Sequence, residues 1–175
     1  MIRSLPLALL LTCAVVGLRA QQTPTAPKTE FLFRMSADLD EPQAIGDTPV
    51  GGRRIFYVKS GSFTGPRLQG TVLPGGGDWT LMRKDGVSQL DVRITLKADD
   101  GSLIFVSYRG ITDIPPAVRA RIAKGEDVPG DQYYFRITPE FETASQKFAW
   151  LNRLVAVGVG KKTPTGVVYD VFALK

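Results

Sequence analysis

From residue 30 onward, apolar and polar positions alternate in short stretches, and glycine-bearing turns separate one stretch from the next. In residues 30–39, Phe31, Phe33 and Met35 alternate with Leu32, Arg34 and Ser36. A period of two marks a strand with one covered face. The same pattern predicts strands at 53–63, 68–73, 79–83, 87–97 and 103–110, and again at 132–138, 154–159 and 167–174. Asp85-Gly86 and Asp100-Gly101 are hairpin signals, because tight hairpin turns need the positive φ that glycine tolerates. Connections this short join antiparallel neighbours.

One helix interrupts the strands. Asp113 is positioned to cap it, Pro115 and Pro116 suit its first turn, Val118 and Ile122 share a face, and Gly125 ends it. It predicts a lid or a plug. Residues 142–152 read as a short helical turn carrying Phe148, Trp150 and Leu151 into the core. Nine or ten short strands joined mostly by hairpins cannot stay a flat sheet with two open edges. The expected fold is all-β, an antiparallel closed barrel with space for a small molecule inside. A two-sheet sandwich uses the same alternation and is the competing architecture.

The first residues follow a different pattern. Arg3 precedes an apolar run from Leu5 to Leu18, and Arg19 and Ala20 close it. A positive start, a short apolar segment and a small residue at the end are the features of a secretory signal peptide, with cleavage after Ala20. The run is shorter than the roughly 20 apolar residues that span a bilayer. No stable membrane anchor is therefore expected after cleavage, and the location is periplasmic or secreted. Cys13 follows Thr12 rather than a small residue, which argues against a lipoprotein. Residues 21–29, rich in Pro, Thr, Gln and Ala, read as a flexible spacer, leaving 30–175 as a single domain.

Composition narrows the chemistry. The 175 residues include 43% hydrophobic and 22% charged side chains, as in ordinary globular proteins. There is no histidine, and Cys13 is the one cysteine. That removes Ser-His-Asp and Cys-His nucleophiles and the usual ligands of zinc and haem. Carboxylates, Lys, Tyr and Arg remain as catalytic groups, and no cofactor is expected. The formal charge of +5 falls when the leader takes away Arg3 and Arg19, and the remaining basic residues are scattered rather than striped, so no nucleic-acid partner is expected. Asp38, Asp40 and Glu41 lack the spacing and glycine of a calcium loop. The run Pro74-Gly75-Gly76-Gly77 is not followed by Gly-Lys-Ser/Thr and leads into a strand, so it is no phosphate loop. Its glycines suit a sharp bend at a barrel rim, turning Asp78 and Trp79 toward the mouth.

In residues 89–97 the alternation puts Leu90, Val92, Ile94 and Leu96 on one face and Asp91, Arg93 and Thr95 on the other. With the aliphatics inward, Asp91 and Arg93 form a solvated ion pair, which the cost of burying charge favours. Turned inward, the two make a polar pocket that only a ligand or mutual pairing would justify. Arg109 and Arg136 pose the same question, since inward arginines would suit a carboxylate or enolate.

The run from Gly65 to Trp79, GPRLQGTVLPGGGDW, resembles a motif of the domain of unknown function 3237 family. The resemblance continues through Asp85-Gly86, Leu90-Asp91-Val92-Arg93, Asp99-Asp100-Gly101, Tyr134-Phe135-Arg136, Phe141-Glu142-Thr143 and Trp150-Leu151-Asn152. It implies a compact, lipocalin-like antiparallel barrel and no particular activity. The leader departs from the cytoplasmic norm of that family.

Three functional classes follow. The first is an exported barrel that binds a small organic molecule, with Trp79, Arg93, Tyr134, Arg136, Trp150 and Asn152 as candidate lining residues. The second is a cofactor-free isomerase, lyase or cyclase, in which Asp78 or Asp91 is the general base and Arg93 or Arg109 stabilises an oxyanion. The third is an interaction module whose sheet edge or aliphatic face meets a partner or a second copy, giving a homodimer.

Overall fold

A computed structural model describes residues 25–175; the leader expected at 1–20 and the start of the spacer lie outside the described residues. The strands are β1 (Thr29–Leu39), β2 (Gln43–Thr48), β3 (Gly51–Thr64), β4 (Gln69–Val72), β5 (Gly77–Asp78), β6 (Leu81–Met82), β7 (Ser88–Ala98) and β8 (Leu103–Asp113). Helix α1 (Pro116–Ala123) follows, and then β9 (Tyr134–Glu142), β10 (Ala156–Lys162) and β11 (Gly166–Leu174). The hydrogen-bonded order runs β1-β11-β10-β9-β8-β7 and continues to β3 through β4, β5 and β6, which together fill one place between β7 and β3. β3 then pairs back onto β1, so the sheet closes into an antiparallel 8-strand barrel. Closure satisfies the edges that a sandwich would leave open.

The hairpin glycines do what their sequence predicts. Gly86 and Gly101 both have φ of 86°, and their amides donate back to Arg83 and Ala98. β2 has no counterpart in the alternation because it lies outside the ring, pairs only with β3 and buries nothing; Ile45 is 59% exposed. The strand expected at 79–83 is instead two short pairings, β5 and β6, interrupted at Trp79 and Thr80. Asp113 does not cap α1. It ends β8, paired with Tyr134, and the helix starts from Pro115 without a side-chain cap.

Inward positions build one core. At one end Phe33 packs edge-on against Phe63 and Phe141, with ring centroids 5.8 and 6.0 Å apart. The 3-10 helix Gln146–Arg153 buries Phe148 and Leu151 there, and its start is tied to the β7–β8 turn through Ser102–Ser145 and Asp100–Lys147. That end is plugged. The middle is filled by Phe135, Tyr108 and Tyr169, each buried. Space for the Phe135 ring depends on Gly160 of β10, where an added Cβ would lie 2.6 Å from the ring. The barrel is therefore packed along most of its axis, and the hollow interior expected from the sequence is confined to the other end.

Gly160→Ala should cost about 1–3 kcal/mol by overpacking. Urea unfolding measures this, and Phe135→Leu in the same chain should recover part of the loss.

Candidate functional site

Alternation along the short strands sorts the side chains around the open end. Asp78 on β5 lies between Phe56 of β3 and Val92 of β7 and faces the interior, as Val58 and Val92 do. Its Oδ1 accepts the Asp91 backbone amide at 3.1 Å. At the last position of β10, Lys162 continues the inward series Ala156, Gly158 and Gly160. Its backbone amide donates to the Tyr133 hydroxyl at 2.7 Å, and its Nζ lies 5.8 and 5.6 Å from the ring centroids of Phe56 and Phe135. Both charged side chains are half-buried.

They meet at a cavity of about 240 Å³ lined by Arg54, Phe56, Asp78, Leu90, Arg119 and Lys162, among others. Helix α1 covers it. The helix buries no residue fully, but Val118 and Ile122 rest against the core. Arg119 donates to the carbonyl oxygens of Gly86 at 3.0 Å and Ile114 at 3.3 Å, which fastens the helix to the β6–β7 turn. Below Asp78 the space narrows to about 20 Å³ between Tyr108, Phe135 and Tyr169, enough for roughly one water.

Burial dominates the electrostatics. It raises the Asp78 carboxyl above its ordinary value, with bonds from Thr80 and the Asp91 amide and the Lys162 charge opposing it. Burial also lowers Lys162, which Asp78 opposes and Arg119 reinforces. Tyr108 and Tyr169 pack edge-on with ring centroids 5.6 Å apart. Burial raises both phenols. The Asp78 charge raises both further. A carboxyl raised toward neutrality beside an ammonium lowered toward it is a pair able to exchange protons with a bound molecule.

Of the residues singled out from the sequence, Asp78 lines this cavity and the others lie elsewhere. Asp91 and Arg93 take the outward of the two orientations that the alternation allows, not the inward one that would make them a pocket. Leu90, Val92, Ile94 and Leu96 are buried, so Asp91 faces out and pairs with Arg93 at 2.9 Å and Arg109 at 2.7 Å. Trp79 also turns out rather than toward the mouth, between Tyr57 and Arg93, because its neighbour Asp78 takes the inward position. Tyr134 and Arg136 stack on each other outside, 5.1 Å apart. With Arg109 they line an open groove of about 670 Å³ on the outer face, larger than the mouth but without a buried ionisable group. Trp150 lies under Arg67 at the plugged end, 3.8 Å away. Asn152 is occupied by the backbone of Thr143, with two bonds of 2.9 Å.

Lys162, Arg54, Arg119 and the tyrosine pair were missed. A strand ended at Val159 stops three residues short of Lys162, and continuing the period of two through Gly158 and Gly160 would have found it. Arg54 shares the parity of Phe56 and Val58. Among the described residues no cluster of three or more Asp, Glu, His or Cys forms a candidate metal site, and no helix is long and apolar enough to cross a membrane.

Residues 27–174 match the protein family of unknown function DUF3237. The chain belongs to the DUF3237 family. A UPF0311 protein of Clostridium acetobutylicum is 34% identical over 83% of this chain and 92% of its own length. A solved β-barrel-like protein of Acinetobacter baumannii AYE is 36% identical, with a TM-score of 0.75 over 89% of this chain and 100% of that one. A relative from Penicillium herquei, described as a hydroalkoxylation enzyme, is 25% identical over 77% of this chain and 75% of its own. The DUF3237 barrel is thus the shared scaffold, and the chemistry must be argued from the mouth.

Because the folded Asp78 carboxyl holds its proton more tightly than the unfolded one, protonation favours folding. The stability it contributes below its ordinary value of 3.8 is lost as pH rises through the raised folded value. Asp78→Asn mimics the protonated form. In urea unfolding it should be more stable than the native chain at about pH 7, with the advantage gone at about pH 3.

Proposed function

We propose that the chain is an exported protein that binds a small organic molecule in the barrel mouth and moves a proton on it without a cofactor. The observation that carries this reading is the couple of Asp78 and Lys162 on the floor of a cavity walled by Phe56, Leu90 and Ile122. Charged groups so placed destabilise a fold unless something else uses them. Asp78 is the general base, its basicity raised by burial. Lys162 stabilises the negative charge that develops as the proton leaves, and the Tyr108 hydroxyl below can return a proton from the lumen side.

Two further points support the reading. The Penicillium herquei relative is described as acting in hydroalkoxylation. Adding an O–H across a carbon–carbon double bond takes a proton from oxygen and delivers one to carbon, the exchange this pair can perform. The leader-like pattern at 1–20 supports export.

A substrate-independent probe is 5-nitrobenzisoxazole. A base removes its ring C–H proton, the electron pair forms the nitrile as the N–O bond breaks, and the coloured cyanophenolate is released. The purified protein should accelerate this reaction, with a rate that rises with pH through the elevated Asp78 value. Asp78→Asn should lose about 10²–10⁴ of the enhancement. Asp91→Asn, on the outer face, should retain it and stay within about 1 kcal/mol of native stability. Equal rates for Asp78→Asn and the native chain would remove Asp78 from the mechanism.

A further inference from the structure

The mouth has an unbalanced charge. Arg54 comes from β3, Arg119 from α1 and Lys162 from β10, and all three line the same cavity, against one carboxylate, Asp78. These elements are far apart in sequence, and each turns a long basic side chain to the same space. Elsewhere the barrel's arginines lie outside, as Arg34, Arg93, Arg109 and Arg136 do, where three of them pair with carboxylates. Solubility would be served by that placement everywhere. Arg119 and Lys162 are half-buried and Arg54 is exposed at the rim, so the cluster costs desolvation chiefly at Lys162 and mutual repulsion among the three, and Asp78 offsets only part of it. Lys162 is disfavoured by Arg119 across the cavity.

The donors are also not used up. Arg119 spends its contacts on two carbonyl oxygens and a long approach of 3.8 Å to the Met82 sulfur, which leaves guanidinium N–H capacity for a ligand. An anionic oxygen bound there would relieve the repulsion and gain charge-assisted hydrogen bonds. A neutral ligand would leave the repulsion in place. The volume of about 240 Å³ lies below the roughly 300–1,000 Å³ of pockets for drug-sized ligands, which sets the size at a single ring or its equivalent.

We propose that the mouth selects a small organic anion, an apolar body carrying one ionised oxygen group, with that group held by Arg54 and Arg119 and the body against Phe56 and Leu90. This deepens the proton-transfer reading and rests on the same cavity. An anionic substrate would also explain why a carboxylate base is surrounded by cations, since both Asp78 and the bound anion need compensation when they approach each other.

Isosteric pairs test it on the unmodified chain. Benzoate is compared with benzamide, and 4-nitrophenolate with 4-nitroaniline, by NMR titration following shifts at Phe56, Leu90 and Ile122. Each anion should bind at least about tenfold more tightly than its neutral partner, a difference of about 1.4 kcal/mol. The preference should shrink in high salt. The combined variant Arg54→Gln with Arg119→Gln should bring it below about threefold while the spectrum of the plugged end is unchanged. The ratio between the two anions identifies carboxylate or phenolate as the better fit. Neutral partners binding the mouth as tightly as the anions would overturn anion selection and leave the proton-transfer site standing. If no probe shifts the mouth residues, both proposals fall.

Discussion

A closed barrel of short strands has two faces with opposite rules, and each strand residue must obey one of them. The inner face is shut off from water, so alternate positions of every strand have to be apolar, small or compensated. Phe33, Val58, Leu96, Ile104, Phe135 and Val171 obey in the simplest way. Gly158 and Gly160 obey by yielding space to Ile137 and Phe135. Asp78 and Lys162 break the rule, and they do so together, at the one end that is not plugged, with Arg54 exposed at its rim. The outer face imposes no such cost, which is why its ion pairs carry little information about function.

The same rule explains how far the sequence could be read. Hairpin connections, the long strands and closure follow from alternation and from Asp85-Gly86 and Asp100-Gly101. β2 left no trace because a strand with both faces in water has no pattern to show. Orientation was harder. A period of two separates Asp91 from Leu90 but does not say which is inside, and only the packing of Leu90, Val92, Ile94 and Leu96 decides it. Trp79 and Asp78 are adjacent, so both could not face the mouth, and the bend at Gly75-Gly76-Gly77 sends the smaller, charged one in.

Motif content misled in a related way. Asp91, Arg93, Tyr134, Trp150 and Asn152 belong to the runs that carry the DUF3237 resemblance, yet their contacts are structural: ion pairs, stacking and a cap on Thr143. The ionisable residues of the mouth come from positions that read as ordinary strand ends or as a helix surface. Lys162 closes β10, Arg119 sits on α1, and Tyr108 and Tyr169 read as core aromatics, although they line the same small space as Asp78. The stability that this end forgoes is supplied at the other, where the phenylalanine cluster and the 3-10 helix fill the barrel.

The account stands on the Asp78 carboxyl being enclosed in the mouth rather than solvated. A ¹³C-detected carboxyl titration of the ligand-free protein, with the Asp78 resonance assigned by its loss in Asp78→Asn, measures this directly. The carboxyl should titrate clearly above 3.8. Titration at or below that value would mean that Asp78 is an ordinary solvated or ion-paired aspartate, and the mouth would lose its base.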